Sequence, residues 1–197
     1  MCGRYLIELS EEEMSGIAAA AEKNAGHSNK LSFTFSGGEI FPGNIAPVIT
    51  ANNEVRFMTW GIQGVIAKGR PYINARSETA ATSGTFGSAI SSRRCLVPAS
   101  AYFEWVTHDK KHKTKYKFTL PDKSTMYMAG IYSGDGRFAI LTRDAAPEIT
   151  EIHNRMPVII PKTYIESWLG GSTDIEALTN LQFVPLSNNN PKQESLF

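Results

Sequence analysis

The segment from Cys95 to Thr142 constrains the fold most strongly, because it consists almost entirely of strand-like runs. Four runs rich in β-branched and aromatic residues follow one another: CLVPASAYFEWV, KYKFTL, TMYMAGIYS and RFAILT. The segments that separate them, THDKKHK, PDKS and GDG, are short and polar, as turns between neighbouring antiparallel strands usually are. The sequence therefore predicts an α+β protein with a largely antiparallel, bent or barrel-like β-sheet and short flanking helices.

Weaker patterns complete the predicted elements. SEEEM reads as a capping box that begins a helix ending near Gly26, and IAPVIT and EVRFMTW predict a hairpin around Asn52 and Asn53. Short helices are predicted around Thr79–Ile90, Ala146–Ile152 and Thr163–Leu169, and FVPLS is predicted to be a last strand. No repeat or long linker divides the chain, so residues 1–197 are predicted to form one domain, with a polar tail at about residues 188–197.

The composition is that of an ordinary globular protein, with 42% hydrophobic and 20% charged residues. We find neither a signal-peptide pattern nor an apolar run of membrane-spanning length, and so expect a cytoplasmic protein without membrane contact. We also expect a monomer. The net charge of +1 does not by itself indicate a nucleic-acid partner. The basic run KKHKTKYK, residues 110–117, is predicted to be a solvated hairpin tip.

Cofactor-binding patterns are absent from the sequence. The two cysteines and four histidines show no zinc-like spacing, and the glycine-rich pieces SGGE and SGDG lack the strand–loop–helix context of a phosphate cradle. Neither a metal ion nor a nucleotide cofactor is expected.

The chain begins MCGRYLIELS, with a cysteine directly after the initiator methionine. Removal of Met1 would leave Cys2 with a free amine and a thiol on adjacent carbons. An α-amine has a reference pKa of about 7.7–8.0, so part of it is unprotonated near neutral pH. Such an amine forms a Schiff base with an aldehyde, and the thiol can then close a five-membered thiazolidine ring. The alternative interpretation is a poorly ordered terminal thiol without a function.

Three further stretches place polar side chains in apolar surroundings. YINARSETAA contains Asn74, Arg76 and Glu78, which would lie on one side if the segment is extended. RRCLVPASAYFEWV contains Glu104 in an aromatic run, where a carboxylate either pairs with a base or has a raised pKa. EIHNRMPVIIP contains His153, which titrates near physiological pH but could equally be satisfied by backbone groups.

Six motifs, MCGRY, NIAPV, WG, INARSET, RRCLVPASAYFEW and IHNRMPVII, follow one another from residue 1 to about residue 160. Together and in this order they resemble the SRAP family, the SOS-response-associated peptidases that sense abasic sites. The resemblance implies binding of single-stranded DNA that contains abasic sites. It also implies a stable thiazolidine crosslink between the N-terminal cysteine and the deoxyribose aldehyde.

The resemblance also implies roles for individual residues. Cys2 would supply the amine and the thiol, and Asn74 would hold the N-terminal residue by hydrogen bonds. Glu104 would take a proton from the Cys2 amine or thiol, and His153 would open the closed sugar to expose its aldehyde. Loss of Met1 would be autocatalytic or would depend on an aminopeptidase.

Arg4, Arg76 and Arg155 would face DNA phosphates, a task that suits the planar guanidinium. The chain departs from the family at one place. The segment that follows Trp60 often carries proline and tryptophan in the family, whereas here it has neither up to Lys68. Trp60 itself is predicted to be a core residue.

Two other function classes remain open at this stage. A cysteine peptidase or amidase could use Cys2 with His153 and Glu104 as nucleophile, base and orienting group. A non-catalytic reader of single-stranded or modified DNA could use the same arginines, with Cys2 incidental; its binding would depend steeply on salt without forming a covalent product.

Overall fold

A computed structural model of the chain describes residues 2–8, 37–64, 69–109, 112–172, 187–189 and 194–195. The strands in these ranges are, in chain order, β1 (Arg4–Ile7), β2 (Gly38–Ile40), β3 (Ile45–Ile49), β4 (Val55–Trp60), β5 (Asn74–Arg76), β6 (Arg94–Ala99), β7 (Ala101–Thr107), β8 (His112–Thr119), β9 (Met126–Tyr132), β10 (Arg137–Asp144), β11 (Arg155–Pro157), β12 (Ser187–Asn189) and β13 (Glu194–Ser195). The described α-helices are short: α1 (Ser77–Ala80), α2 (Gly87–Ser92), α3 (Pro147–Thr150) and α4 (Ile165–Leu169). Turns of 3-10 helix span Ala51–Asn53 and Lys162–Tyr164.

The strands form two sheets. The first has the order β12-β8-β7-β1-β2, with β13 also paired to β8, and all of its pairings are antiparallel. The second has the order β11-β10-β4-β3-β6-β9, and β5 pairs with β10. Because β10 also pairs with β9, the strands β10, β4, β3, β6 and β9 form a closed ring. The α+β class with a largely antiparallel, barrel-like sheet is therefore confirmed.

Two pairings in the second sheet are parallel. β10 runs parallel to β4 and to β5, with Ile140 opposite Asn74. This pairing fixes the position of β5, a strand of three residues, against a long central strand. The predicted hairpin of β3 and β4 is confirmed, with Ile49 opposite Val55 across the 3-10 turn.

The run CLVPASAYFEWV forms two strands in different sheets, because the chain bends at Ser100. The Ser100 hydroxyl accepts a hydrogen bond from the Glu8 N–H at 2.8 Å and donates one to the Glu8 carbonyl at 3.0 Å. The Ser100 N–H donates to the Leu6 carbonyl at 2.8 Å. These bonds direct β7 onto β1, while β6 stays with β9.

Two sequence predictions need correction. Residues 112–117 are not a solvated tip: they belong to β8, and Lys115 within them is buried. Alternation explains this, because Tyr116 and Phe118 face one side of the strand and Lys115 the other. The polar tail also contributes strands, since β12 and β13 add to the edge of β8 by main-chain pairing, which requires no apolar pattern.

The predicted helices around Thr79–Ile90, Ala146–Ile152 and Thr163–Leu169 are confirmed in shortened form as α1 to α4. The capping-box helix near Ser10, and all of FVPLS except Ser187, lie outside the described residues. None of the helices in the described ranges is long and apolar enough to cross a membrane.

The main core lies between the two sheets, and the chain's start is part of it. Cys2 is fully buried in a cluster with side chains from both sheets, including Tyr5, Trp60, Cys95, Tyr102, Phe118, Met128 and Phe138. Trp60 is a core residue, as predicted, with 0% exposure. Burial of residue 2 is unusual, because chain ends are ordinarily exposed.

Candidate active site

The start of the chain is held by pairing on both sides. β1 lies between β2 and β7, with Tyr5 opposite both Ile40 and Tyr102. Cys2 precedes this strand by two residues and has 0% exposure, and its Sγ donates a hydrogen bond to the Arg4 carbonyl at 3.7 Å. The candidate nucleophile is therefore held in the core rather than in a mobile end.

Asn74 contacts Cys2 directly. Its Nδ2 donates a 2.9 Å hydrogen bond to the Cys2 carbonyl oxygen. The residue before it is also tied down, because the Trp60 indole Nε1 donates to the Ile73 carbonyl at 2.8 Å. Asn74 Oδ1 is buried and has no partner among the described residues. The side chain thus holds residue 2 with one end and offers an acceptor with the other.

Glu104 is a buried carboxyl group on the core face of β7. It is 3% exposed, lies opposite Tyr116 of β8 and shares its face with Tyr102, which precedes it by two residues. Burial raises the pKa of Glu104 to about 7, although the positive charge of the amino terminus opposes the increase. Near neutral pH the group can therefore both take up and release a proton.

The Cys2 thiol is a weak acid in this environment. Burial raises the pKa of Cys2 well above the usual range, and the Glu104 carboxylate raises it further, whereas the hydrogen bond to Arg4 and the amino-terminal charge lower it. At neutral pH the sulfur is a protonated thiol. A base must take its proton before the sulfur can attack as a thiolate.

His153 follows α3 and precedes β11. Its Nδ1 accepts a 2.9 Å hydrogen bond from the main-chain N–H of Arg155. Burial lowers the pKa of His153, and the amino-terminal charge lowers it further. The imidazole is thus neutral near pH 7, and because Nδ1 accepts, its proton is on Nε2.

The four candidate residues come from distant parts of the sequence. Asn74 touches Cys2, the Glu104 carboxylate acts on the Cys2 thiol, and the amino-terminal charge acts on both Glu104 and His153. The fold thus gathers the four groups around the start of the chain, where the amino-terminal charge links His153 to Glu104.

The three candidate arginines differ in their surroundings. Arg76 is exposed at the end of β5. Arg4 is half-buried; it pairs with Glu39 at 3.0 Å, and its guanidinium lies 4.3 Å from the Phe41 ring centroid and 4.9 Å from that of Trp105. Arg76 therefore presents an open cation, whereas Arg4 is shared with a carboxylate and two rings.

Arg155 is the most enclosed of the three. It is 8% exposed and binds both oxygens of Glu78, at 2.8 and 2.9 Å, Asp144 at 2.5 Å and the Thr142 carbonyl at 2.7 Å. Glu78 reaches it because the extended segment ends at Arg76 and α1 begins at Ser77, so the expected alternation does not continue to Glu78. A phosphate at Arg155 would compete with these carboxylates.

Sequence reasoning missed the ion pairs of Glu39. This carboxylate binds Arg4 and also Lys115, whose ammonium lies 4.1 Å from the centroid of the Phe103 ring. The alternation of Lys115, Tyr116, Lys117 and Phe118 was the available signal that this lysine faces away from the core cluster. Across the ranges that the structure describes, no group of three or more His, Cys, Asp or Glu side chains is arranged to hold a metal ion.

The family model for SOS response associated peptidase (SRAP) matches residues 1–192. The chain therefore belongs to the SRAP family.

Its relatives include two proteins of Bacillus subtilis named abasic site processing proteins, YobE and YoqW. YobE is 31% identical over 166 residues, which cover 73% of this chain and 76% of YobE. YoqW is 31% identical over 166 residues, which cover 73% of this chain and 74% of YoqW. The abasic site processing protein YedK of Escherichia coli is 26% identical over 180 residues, 86% of this chain and 79% of YedK.

Solved structures share the fold. A crystal structure of a Bacteroides thetaiotaomicron protein matches with a TM-score of 0.75 at 23% identity, covering 97% of this chain and 92% of that one. One from Bordetella bronchiseptica matches with a TM-score of 0.72 at 23% identity, covering 97% of this chain and 100% of that one.

Proposed function

We propose that this protein processes abasic sites by capturing them in single-stranded DNA as a thiazolidine crosslink to Cys2, after Met1 is removed. Membership of the SRAP family and the names of its relatives as abasic site processing proteins support the general activity. The observation that carries the specific chemistry is the buried Cys2, with Asn74 on its carbonyl and Glu104 acting on its thiol. The proposal assigns the protein to the cytoplasm, or to the nucleoid if it is bacterial.

The reaction needs no oxidant and releases one water. The Cys2 amine adds to the sugar aldehyde at C1′ to form a carbinolamine, which loses water to give an imine. The thiol then adds to the imine carbon; the sulfur forms its new bond to C1′, the C=N electron pair moves to nitrogen, and the thiol proton is transferred to that nitrogen. Both nucleophiles belong to one residue, so the second step is intramolecular and favoured by proximity.

Asn74 and Glu104 suit the steps at Cys2. The Asn74 Nδ2–H fixes the Cys2 carbonyl, and its buried Oδ1 is an acceptor for an N–H of the amine that removal of Met1 creates. Glu104, with a pKa raised by burial to about 7, can accept the proton of the amine or thiol and return it later.

His153 suits the opening of the sugar. An abasic deoxyribose is mostly a cyclic hemiacetal. Opening it breaks the C1′–O4′ bond, adds a proton to the ring oxygen and releases the proton of the C1′ hydroxyl to water as the aldehyde C=O forms. A neutral imidazole with Nδ1 committed to the Arg155 N–H carries its proton on Nε2, from which it can donate. We assign this proton transfer to His153.

Phosphate contacts are assigned to Arg4, Arg76 and Arg155. Exposed Arg76 supports this role most directly, whereas Arg4 and Arg155 must share their charge with Glu39 and with Glu78 and Asp144. If these arginines contact phosphates, the affinity of the protein for single-stranded DNA falls as the salt concentration rises.

Stacking on the bases beside the abasic site is assigned to two exposed aromatic rings. Phe41 is 42% exposed beside Arg4, and Tyr72 is 50% exposed two residues before Asn74. Stacking on exposed rings is the usual way in which proteins hold single-stranded bases without reading their sequence.

A cysteine peptidase is less well supported. Such an enzyme activates an accessible thiol with an imidazole, whereas here the buried Cys2 thiol donates to the Arg4 carbonyl and is influenced by a carboxylate. Removal of Met1 by the protein itself is part of the family's implied behaviour; an ordinary methionine aminopeptidase also accepts a residue as small as cysteine at position 2.

Two mass spectra of one preparation test the proposal. The intact mass reports whether Met1 is present, and a second spectrum follows incubation with a single-stranded oligonucleotide carrying one abasic site. We expect an adduct one water lighter than the sum of its parts, which survives heating. Protein without Met1 that forms no adduct would refute the proposal; a matched oligonucleotide without the abasic site should form none.

A further inference from the structure

We propose that the buried hydroxyl groups of Tyr5 and Tyr102 form a donor pair that holds the sulfur of Cys2 as a thiolate during ring closure. The inference rests on the proposed function, because it concerns the second step of the same reaction, but it assigns a role to two residues outside the four catalytic candidates.

The two hydroxyls are costly to bury without partners. Tyr5 and Tyr102 are both 0% exposed, and neither hydroxyl oxygen has a hydrogen-bond partner among the described residues. Buried polar groups nearly always have partners, and each exception calls for a physical reason. Two such exceptions in one core cluster point to a partner that is needed only in one step of a reaction.

The two rings are placed as a pair by the sheet. Tyr5 of β1 lies directly opposite Tyr102 of β7, so both side chains extend from the same face of the sheet. Glu104 extends from that face as well, two residues beyond Tyr102. Apolar packing holds each ring: Tyr5 meets Trp60 edge to face at 5.0 Å between centroids, and Tyr102 stacks on Phe118 at 4.9 Å.

Cys2 belongs to the same buried cluster, and its charge would act on both hydroxyls. A negative charge on the Cys2 sulfur raises the pKa of Tyr5 and of Tyr102, after burial itself, so each phenol remains a protonated donor. The other titratable groups that act here are Glu104, Cys95 beside Tyr5 and the amino terminus.

The existing partner of the sulfur suits only the thiol. Cys2 Sγ donates to the Arg4 carbonyl, and a carbonyl oxygen has no hydrogen to give to a thiolate. When Glu104 takes the thiol proton, the sulfur needs donors in place of an acceptor. The two phenol O–H groups are donors in the same cluster, and they stabilise the thiolate until its bond to the imine carbon forms.

Small aldehydes allow a test without DNA. Formaldehyde converts an N-terminal cysteine to a thiazolidine, and borohydride reduces the imine but not the finished ring. The experiment uses protein without Met1, with Tyr5→Phe and Tyr102→Phe, and follows by mass spectrometry the ratio of borohydride-trapped imine to ring at several pH values.

Removal of one charge-assisted donor should slow ring closure about ten- to a hundredfold, increase the trapped imine and move the rise in closure rate to higher pH. Thr119→Val is the matched control, because Thr119 is 6% exposed and its buried hydroxyl also lacks a partner among the described residues. Its side chain faces the other side of the sheet, since the residue before it, Phe118, lies opposite Tyr102. This variant should leave the ratio unchanged.

Both tyrosine variants should keep or raise the melting temperature, since each removes a buried hydroxyl that has no partner among the described residues. An unchanged ratio and pH profile in the tyrosine variants would overturn the proposal, as would variants that unfold more easily and slow imine and ring formation equally. Because formaldehyde replaces the abasic site, the outcome is independent of whether the protein crosslinks DNA.

Discussion

The main-chain N–H of Arg155 donates to Nδ1 of His153 at 2.9 Å, and this single bond decides which imidazole nitrogen carries the proton. It leaves Nε2–H as the only proton that neutral His153 can donate. Since a main-chain donor cannot be removed by substituting the Arg155 side chain, the tautomer is built into the backbone at the start of β11.

This bond predicts a selective defect in His153→Ala. The variant should crosslink an abasic site about 10²–10⁴-fold more slowly, the range that general acid–base catalysis supplies. It should react normally with formaldehyde, which has no ring to open. Single-turnover rates of thiazolidine formation with both aldehydes check this. Cys2→Ala is the control, because it keeps the amine that forms the imine but lacks the thiol, and so should form no ring with either aldehyde. Equal slowing of the two would assign His153 to a step at Cys2.

The raised pKa of Glu104 predicts that Glu104→Gln is more stable than the wild type at high pH but not at low pH. Burial raises the pKa of Glu104 from 4.5 to about 7, so the folded state holds the proton more tightly than the unfolded state. The free energy of unfolding therefore falls as the pH rises from about 4.5 to about 7, by on the order of 3 kcal/mol, and a glutamine does not incur this loss. Urea unfolding at pH 4 and pH 8 should show equal stability at pH 4 and a more stable variant at pH 8.

The same residue predicts a change in the rate profile. The ratio of wild-type to Glu104→Gln crosslinking rates should grow as the pH rises through about 7, because only the wild-type group becomes a base. Because the Glu104 carboxylate favours the charged form of the amino terminus, the amine titrates at lower pH in Glu104→Gln, so each rate is first divided by the fraction of unprotonated amine measured in that protein. A ratio that is constant from pH 5 to pH 8 would exclude Glu104 as the proton acceptor.

Asn74 predicts that a donor is required at the Cys2 carbonyl. Asn74→Asp keeps the size of the side chain but replaces the Nδ2–H, which lies 2.9 Å from that oxygen, with a second acceptor. Crosslinking should slow by at least tenfold, and Asn74→Ala should cost about 1 kcal/mol of unfolding free energy. Crosslinking by Asn74→Asp at the wild-type rate would show that the bond is only structural.

The ion pair between Arg155 and Glu78 predicts that Glu78→Gln makes the protein less stable but a tighter binder of single-stranded DNA. Loss of the Glu78 charge should lower the free energy of unfolding by only about 1–2 kcal/mol, because the Glu78 side chain is 44% exposed and solvent weakens its ion pair with Arg155. It should also leave Arg155 freer to bind a phosphate and tighten binding of single-stranded DNA. Asp144→Asn is the matched comparison: its side chain is 87% exposed, and its stability should change by less than about 0.5 kcal/mol. Weaker DNA binding by Glu78→Gln would argue against a phosphate at Arg155.

The exposed ring of Phe41 predicts that its removal weakens DNA binding but leaves the reaction of Cys2 with an aldehyde intact. Phe41→Ala should weaken binding of single-stranded DNA by about 1–3 kcal/mol, the usual value for one stacked base. The reaction with formaldehyde should be unaffected. Tyr164→Ala, at an exposed ring in the 3-10 turn before α4, should bind DNA like the wild type in a fluorescence anisotropy titration.

Most of the strands could be predicted from the sequence, because a strand packed in a core needs apolar residues along its own length and turn residues at its ends. The hairpin of β3 and β4 and the strands β7 to β10 follow from apolar runs bounded by turn residues. The bend at Ser100 could not be predicted, since it depends on hydrogen bonds to Leu6 and Glu8, more than ninety residues away. The same limit explains why Lys115 was expected in solvent, because its partner Glu39 lies 76 residues away in sequence.

The candidate site divides in the same way. The chemistry of Cys2, and a raised pKa for Glu104 in an aromatic run, could be inferred from residue types and neighbours. The burial of Cys2, Tyr5 and Tyr102 results from packing between two sheets, and the two hydroxyls have no partner among the described residues. The carboxylates around Arg155 result from the pairing of β10 with β11 and from the position of α1 after β5. No local pattern encodes them.

The contact between Cys2 and Asn74 spans 72 residues, and this separation has a consequence for synthesis of the protein. Residue 2 leaves the ribosome first, yet its enclosure must wait until strands from much later in the chain have been made. During that interval a bare aminothiol would meet the free aldehydes of metabolism, and a single such encounter would consume a group that can be used only once. Under the proposed function, a methionine that stays in place until the two sheets have closed would act as a protecting group, and the timing of its removal would set how many new molecules can react.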